Sequence, residues 1–269
     1  MTTLTQQLRE LSTTIAVAGA EHALSQRRLG FGVDTKSSMT DLVTDVDRST
    51  EAMIVSRILT ARPDDGLLGE EGGERAGTTG VRWVIDPIDG TTNFVYDHPG
   101  WAVSIGVEVD GVVVAGAVAC PSLSMTYSAA AGEGATCNGA ALQLPDTAPP
   151  LAHALVGTGF SYDSHTRRRQ AQRLVTVLPN VRDIRRVGAA AVDLCSVAAG
   201  RLDAYFEEGL GPWDLAAGGL IAAEAGAHTS SLDGGPIADG SVLVCHPGLA
   251  AELVELLARA AREIDDSPS

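Results

Sequence analysis

Trp83-Val84-Ile85-Asp86-Pro87-Ile88-Asp89-Gly90-Thr91-Thr92-Asn93-Phe94 is the stretch from which the rest of the chain is read. The apolar run Val81 to Ile85 predicts a buried strand that delivers Asp86 at its end. Pro87 has no backbone N–H and favours a turn, so Asp89 follows closely. Two carboxylates three residues apart can then converge on one point. Gly90 permits close backbone approach. Thr91 onward starts a helix, whose first N–H groups lack partners and suit a phosphate. One reading is a cation site beside a helix start. The other is an ordinary strand–turn–helix junction with Asp89 as the helix cap, and this segment alone does not separate the two.

Acids recur in similar settings elsewhere. In Leu67-Leu68-Gly69-Glu70-Glu71-Gly72-Gly73 an apolar pair runs into two glutamates, which in a surface loop ordinarily serve solvation. In Gly211-Pro212-Trp213-Asp214-Leu215 an aspartate stands at the mouth of an Ala/Gly-rich helix, where it is most often a cap. Each signal is weak alone.

Outward from these motifs, Leu4, Leu8, Leu11, Ile15, Ala18 and His22 recur at helical spacing and predict a long amphipathic first helix. A loop with Gly30, Gly32 and Lys36 follows, then a second helix over Arg48 to Ala61, ended by Pro63. Trp101 to Val109 and Val112 to Ala119 are apolar runs joined by Asp110-Gly111, a hairpin signal, so this region is expected to be antiparallel sheet. Asp146 to Pro150 reads as a linker between two halves, about 1–145 and 151–265, of a single domain. Beyond it, strands are expected at Ala154 to Gly157, Val181 to Val187, Asp203 to Phe206 and Val242 to Cys245. They alternate with helices at His165 to Leu178, Ala189 to Ala199, Leu215 to Ala225 and Leu249 to Ala261. The polar tail Asp265 to Ser269 is expected to fray.

Composition narrows the function. A net charge of -15 over 269 residues argues against a broad grip on nucleic acid. The densest basic stretch, Arg167 to Arg169, sits in a helical run and reads as a solvated face. The N-terminus has neither the basic start nor the apolar core of a signal peptide, and no apolar run is long enough to span a bilayer. Cys120, Cys137, Cys195 and Cys245 show no CxxC spacing, so reduced thiols in a cytoplasmic protein are expected. Lys36 is the only lysine, and it lies just before an acidic cluster.

Taken together, the motifs resemble those of the inositol monophosphatase family. Gly69-Glu70-Glu71, Asp86-Pro87-Ile88-Asp89-Gly90-Thr91 and Trp213-Asp214-Leu215-Ala216-Ala217-Gly218 occur in the family's order. Lys36 with Asp41 to Asp47, Ala102 to Gly106, Gly188 to Leu194 and Gly200 to Tyr205 extend the likeness over nearly the whole chain. The resemblance implies an α+β fold, a layered αβαβα sandwich of the inositol monophosphatase and sugar phosphatase type. It implies a Mg²⁺-dependent, lithium-sensitive phosphatase with two to three ions per subunit, commonly a homodimer. Glu70, Asp86 and the carbonyl of Ile88 would hold one ion, and Asp86, Asp89 and Asp214 a second. Thr91, oriented by Asp47 and acting with Glu70, would position and activate the attacking water. The N–H groups of Gly90 and Thr91 would hold the phosphate. Ala190 through its backbone and Glu207 would meet the substrate, and Asp193 either faces the site or lies on a helix surface.

Oxygen-only ligands suit a hard ion such as Mg²⁺. Two ions can neutralise the attacked phosphate, so no covalent nucleophile is required. The substrate implied is a small phosphate monoester, with myo-inositol 1-phosphate first. Glu207 favours a polyol, because an acid accepts hydrogen bonds from hydroxyls and repels a second phosphate. Histidinol phosphate, fructose 1,6-bisphosphate and a nucleotide phosphate are alternatives in the same superfamily. A catalytically silent binding or regulatory protein is an alternative of a different class. Trp101, Glu208 and Gly211-Pro212 depart from the family's usual residues and bear on substrate preference.

Overall fold

Along the first helix, apolar residues recur on one side, and Leu8, Ile15, Ala16, Ala20 and Ala23 form a buried stripe down α1 (Leu4–Leu29). The structure is a computed structural model and describes residues 2–36, 39, 41–237 and 240–265; the expected fraying beyond Asp265 lies outside them. After α1 come β1 (Val33–Thr35), β2 (Leu42–Thr44), α2 (Asp45–Ala61), β3 (Gly66–Gly69), β4 (Gly73–Arg75), β5 (Val81–Asp89) and α3 (Thr91–Tyr96). Strands β6 (Ala102–Val109), β7 (Val112–Cys120), β8 (Met125–Ala130), β9 (Ala135–Cys137) and β10 (Ala140–Leu142) complete a large sheet. Then follow β11 (Leu155–Thr158), α4 (Ser164–Val177), β12 (Asp183–Arg185), α5 (Ala190–Ala198), β13 (Ala204–Glu207), α6 (Pro212–Glu224), β14 (His228–Ser230), β15 (Val242–Cys245) and α7 (Ala250–Asp265).

Five layers result. Helices α1 and α2 cover one face of an eight-stranded sheet of order β10-β9-β8-β7-β6-β5-β3-β4. Helices α5 and α6 fill the space between that sheet and a five-stranded one of order β12-β11-β13-β15-β14. Helices α4 and α7 close the far side. This is the αβαβα sandwich. Strands β6 and β7, covered on both faces, carry almost unbroken apolar runs. The middle layer sits close because its contacts are small: a Cβ on Gly106 would lie 2.5 Å from the Ala216 Cβ.

Three boundaries and one strand pairing differ from the sequence reading. α2 starts three residues before Arg48, because the Thr44 hydroxyl accepts from the amides of Val46 and Asp47 and the Asp47 carboxylate reaches back to the Thr44 amide. That box places Asp47 in the first turn of the helix. β5 continues past Ile85 to Asp89, with its pairing to β6 shifted between Asp86 and Asp89, a bulge that tolerates Pro87. The first sheet is not wholly antiparallel, since β3 runs parallel to β5. The expected strand Val181 to Val187 shrinks to Asp183–Arg185, one edge of the second sheet. Among the described residues the cysteines are free thiols, and no helix is long and apolar enough to cross a membrane.

Candidate active site

Three separate elements bring carboxylates to one place. Asp86 and Asp89 come from the bulged end of β5, and Asp214 from the first turn of α6. One oxygen from each lies within 4.8 Å of the others. They line a cleft of about 420 Å³ together with Lys36, Glu70, Ile88, Gly90, Thr91, Ala190 and Glu207. Asp47 is fully buried.

Asp89 caps a helix, though not the one that follows it in sequence. The residue before α3 is Gly90, at φ 86°, with no side chain to cap it. The Asp89 carboxylate instead accepts from the amides of Ala190 and Ala191 at 3.1 and 2.7 Å, at the start of α5, which lacks a capping side chain of its own. Of the Ala190 backbone expected to meet substrate, the amide is engaged by Asp89. Asp214 combines both readings offered by its motif. Its Oδ2 accepts from the Gly211 amide at 2.6 Å, and the residue also joins the acidic cluster.

Thr91 Oγ1 lies 3.1 Å from Asp47 Oδ1 and 3.1 Å from the Ile88 carbonyl. A hydroxyl has one proton. Donated to Asp47, it leaves the lone pairs of Oγ1 free for a water in the cleft. Asp47 is itself held by Thr44, whose amide donates to Oδ2 at 2.8 Å. Lys36 Nζ pairs with Glu70 at 2.7 Å and also with Glu71, so the lone lysine offsets one of the two charges of the glutamate loop.

The electrostatics describe a site short of positive charge. Burial, then Glu70, Asp89 and Asp214, push Asp86 well above the usual carboxylate range. Burial and then Asp214 do the same to Asp89. Burial, followed by Glu70, raises Asp214 to about 7, and burial raises Asp47 to about 6 against the hydrogen bonds from Thr44 and Thr91. Buried like charges this close need protons or a cation. The donors are all oxygen, so the residues fit a hard divalent cation.

The profile for the inositol monophosphatase family matches residues 4–266. The chain belongs to that family. It is 46% identical to the Mycobacterium tuberculosis protein named inositol-1-monophosphatase SuhB, over 94% of each chain. A Vibrio cholerae protein named Nus factor SuhB is 39% identical, over 79% of this chain and 81% of its own. Among solved structures, the inositol monophosphate-bound SaIMPase-II of Staphylococcus aureus superposes with a TM-score of 0.80 at 29% identity, covering 96% of both chains.

Some residues of the cleft carried no sequence signal. Arg186, Phe160, Ser161 and Tyr162 also line the cleft, alongside Trp213 of the Asp214 motif. Asn93 ties two loops together, its Nδ2 donating to the carbonyls of Gly100 and Val187, both at 2.9 Å. Asp193 is buried rather than set on a helix surface, its Oδ1 without a hydrogen-bond partner among the described residues. Burial and then Glu207 hold its carboxyl well above the usual range. Phe160, Ser161 and Tyr162 follow β11 and Arg186 follows β12, strands whose parallel pairing no local spacing announces.

Proposed function

We propose that the chain hydrolyses a phosphate monoester of a small polyol, with myo-inositol 1-phosphate first among the candidates. The observation that carries this reading is the convergence of Asp86, Asp89 and Asp214 within 4.8 Å, in one cleft with Thr91, whose hydroxyl is held by Asp47. Glu70, Asp86, Asp89, Asp214 and the Ile88 carbonyl would hold Mg²⁺. When bound, Mg²⁺ neutralises phosphate charge, acidifies water and stabilises a leaving alkoxide.

The chain's own groups divide the remaining work. Thr91 Oγ1 accepts a hydrogen bond from the attacking water and orients it, while Glu70 receives its proton. The amides of Gly90 and Thr91, at a helix start without a capping side chain, hold the phosphate oxygens. Glu207 accepts hydroxyls of the substrate. Burial raises its carboxyl, and the Tyr205 hydroxyl and Arg186 hold it back. The relatives named inositol-1-monophosphatase and the inositol monophosphate bound to SaIMPase-II support the substrate class.

A second reading is a protein that acts by binding, favoured by the name of the V. cholerae relative. The intact acidic cluster weighs against it. Packing buried carboxylates together destabilises a fold, and a silent binder gains nothing from keeping them. Phosphate release from inositol 1-phosphate, histidinol phosphate, fructose 1,6-bisphosphate and an adenosine bisphosphate, with and without Mg²⁺, separates the possibilities. Mg²⁺-dependent preference for inositol 1-phosphate is expected. Preference for another ester overturns the substrate, and no release from any ester overturns the enzyme.

A further inference from the structure

Glu51 has no place in the chemistry described so far, yet it is a carboxylate only 5% exposed. It lies on α2 four residues after Asp47, about 6 Å further along the same helix face. Its Oε2 accepts from the Glu71 amide at 2.9 Å, and the Gly72 amide also donates to it. The loop has been shaped to admit this side chain. A Cβ on Gly69 would lie 2.5 Å from Oε2, and one on Gly72 would overlap Oε1. Gly69 and Gly72 are thus accounted for by a carboxylate on α2, whereas Gly73 is set by its φ of 75° at the turn.

The loop is gripped from two sides. Lys36 pairs with the side chains of Glu70 and Glu71, while Glu51 holds the backbone at Glu71 and Gly72. Glu70 lies against Asp86 closely enough to share a proton with it. One helix therefore anchors both working segments, through Asp47 to Thr91 and through Glu51 to the Glu70 loop.

We propose that Glu51 is a positioning residue that sets the height of the Glu70–Glu71 loop, so that Glu70 stands beside Asp86 and Thr91 at the cleft. Its kinetic consequence rests on the phosphatase reading; its effect on the loop does not.

Hydrogen exchange of segment 69–73, calorimetric Mg²⁺ affinity and phosphate release are measured for Glu51→Ala, Glu51→Gln, Gly72→Ala and the Glu51→Ala/Gly72→Ala double variant. Ile54→Val, in the core under α2, serves as the stability control. Glu51→Ala is expected to speed exchange in the segment at least tenfold with α1 unchanged. It should also weaken Mg²⁺ binding at least fivefold. Glu51→Gln keeps an acceptor and should stay within threefold of wild type. Gly72→Ala removes no polar group, yet it should loosen the segment in the wild-type background and add nothing to Glu51→Ala, because the clash is then gone. Should Glu51→Ala fail to fold, Glu51→Gln and Gly72→Ala carry the same comparison. Unchanged exchange in segment 69–73, additive effects of the two substitutions, or a Mg²⁺ affinity that falls equally in Ile54→Val would each overturn the proposal. Absence of phosphate release from the wild type would end the phosphatase reading while leaving the exchange comparison intact.

Discussion

Asp214→Asn should stabilise the metal-free protein and weaken its response to Mg²⁺. Asp214 is raised from the ordinary 3.8 to about 7 by burial and by Glu70. A shift of about three units is on the order of 4 kcal/mol. Asp214 keeps part of its surface open to the cleft, so solvent screening reduces the expected effect to about 2 kcal/mol. Asparagine retains an oxygen for the Gly211 amide and removes the charge. Because the folded carboxyl binds its proton more tightly than the unfolded one, Asp214's contribution to wild-type stability is full below pH 3.8 and is lost as pH rises through about 7. The gain from Asp214→Asn is therefore about 2 kcal/mol at pH 7.5 in chelator and shrinks toward zero near pH 4. A bound cation works against that gain: at a hundredfold excess over Kd the wild type gains about 2.7 kcal/mol, and the variant, lacking one carboxylate of the second ion's set, gains less. Urea unfolding at both pH values, in chelator and in Mg²⁺, reads all four states. A variant less stable than wild type in chelator at pH 7.5, or equally stabilised by Mg²⁺, would refute the repulsive cluster.

Thr91→Val removes the hydroxyl between Asp47 and the cleft, so kcat should fall at least a hundredfold with KM nearly unchanged; steady-state kinetics showing a KM effect alone would reassign Thr91 to substrate binding. Glu207→Ala should cost more with inositol 1-phosphate than with an aryl phosphate lacking ring hydroxyls, and equal losses on both would make Glu207 a structural acid.

Much of the layout was legible because it rests on local periodicity. The α1 stripe follows from helical spacing, and the β6–β7 hairpin from Asp110-Gly111, which take φ of 51° and 81° as a primed turn requires. The start of α2 was legible in principle through Thr44 and Asp47, a capping box at the right spacing. The acids Glu70, Asp86, Asp89 and Asp214 were found from motif order, and the structure places them along one cleft. The parallel pairing of β3 with β5 was not legible, since parallel neighbours carry no turn signal between them.

By itself, then, the sequence determined which residues could do the chemistry, the runs that form helices and strands, and the family to which they belong. Side-chain type and short-range spacing suffice for that. The partners of those residues were decided only by the tertiary structure. Asp89 caps a helix 101 residues away, and Glu51 fills a space that glycines 18 and 21 residues later leave open. Arg186 enters the cleft from the second sheet. Such contacts join segments distant in the chain, and they exist only once buried layers fix where each backbone ends.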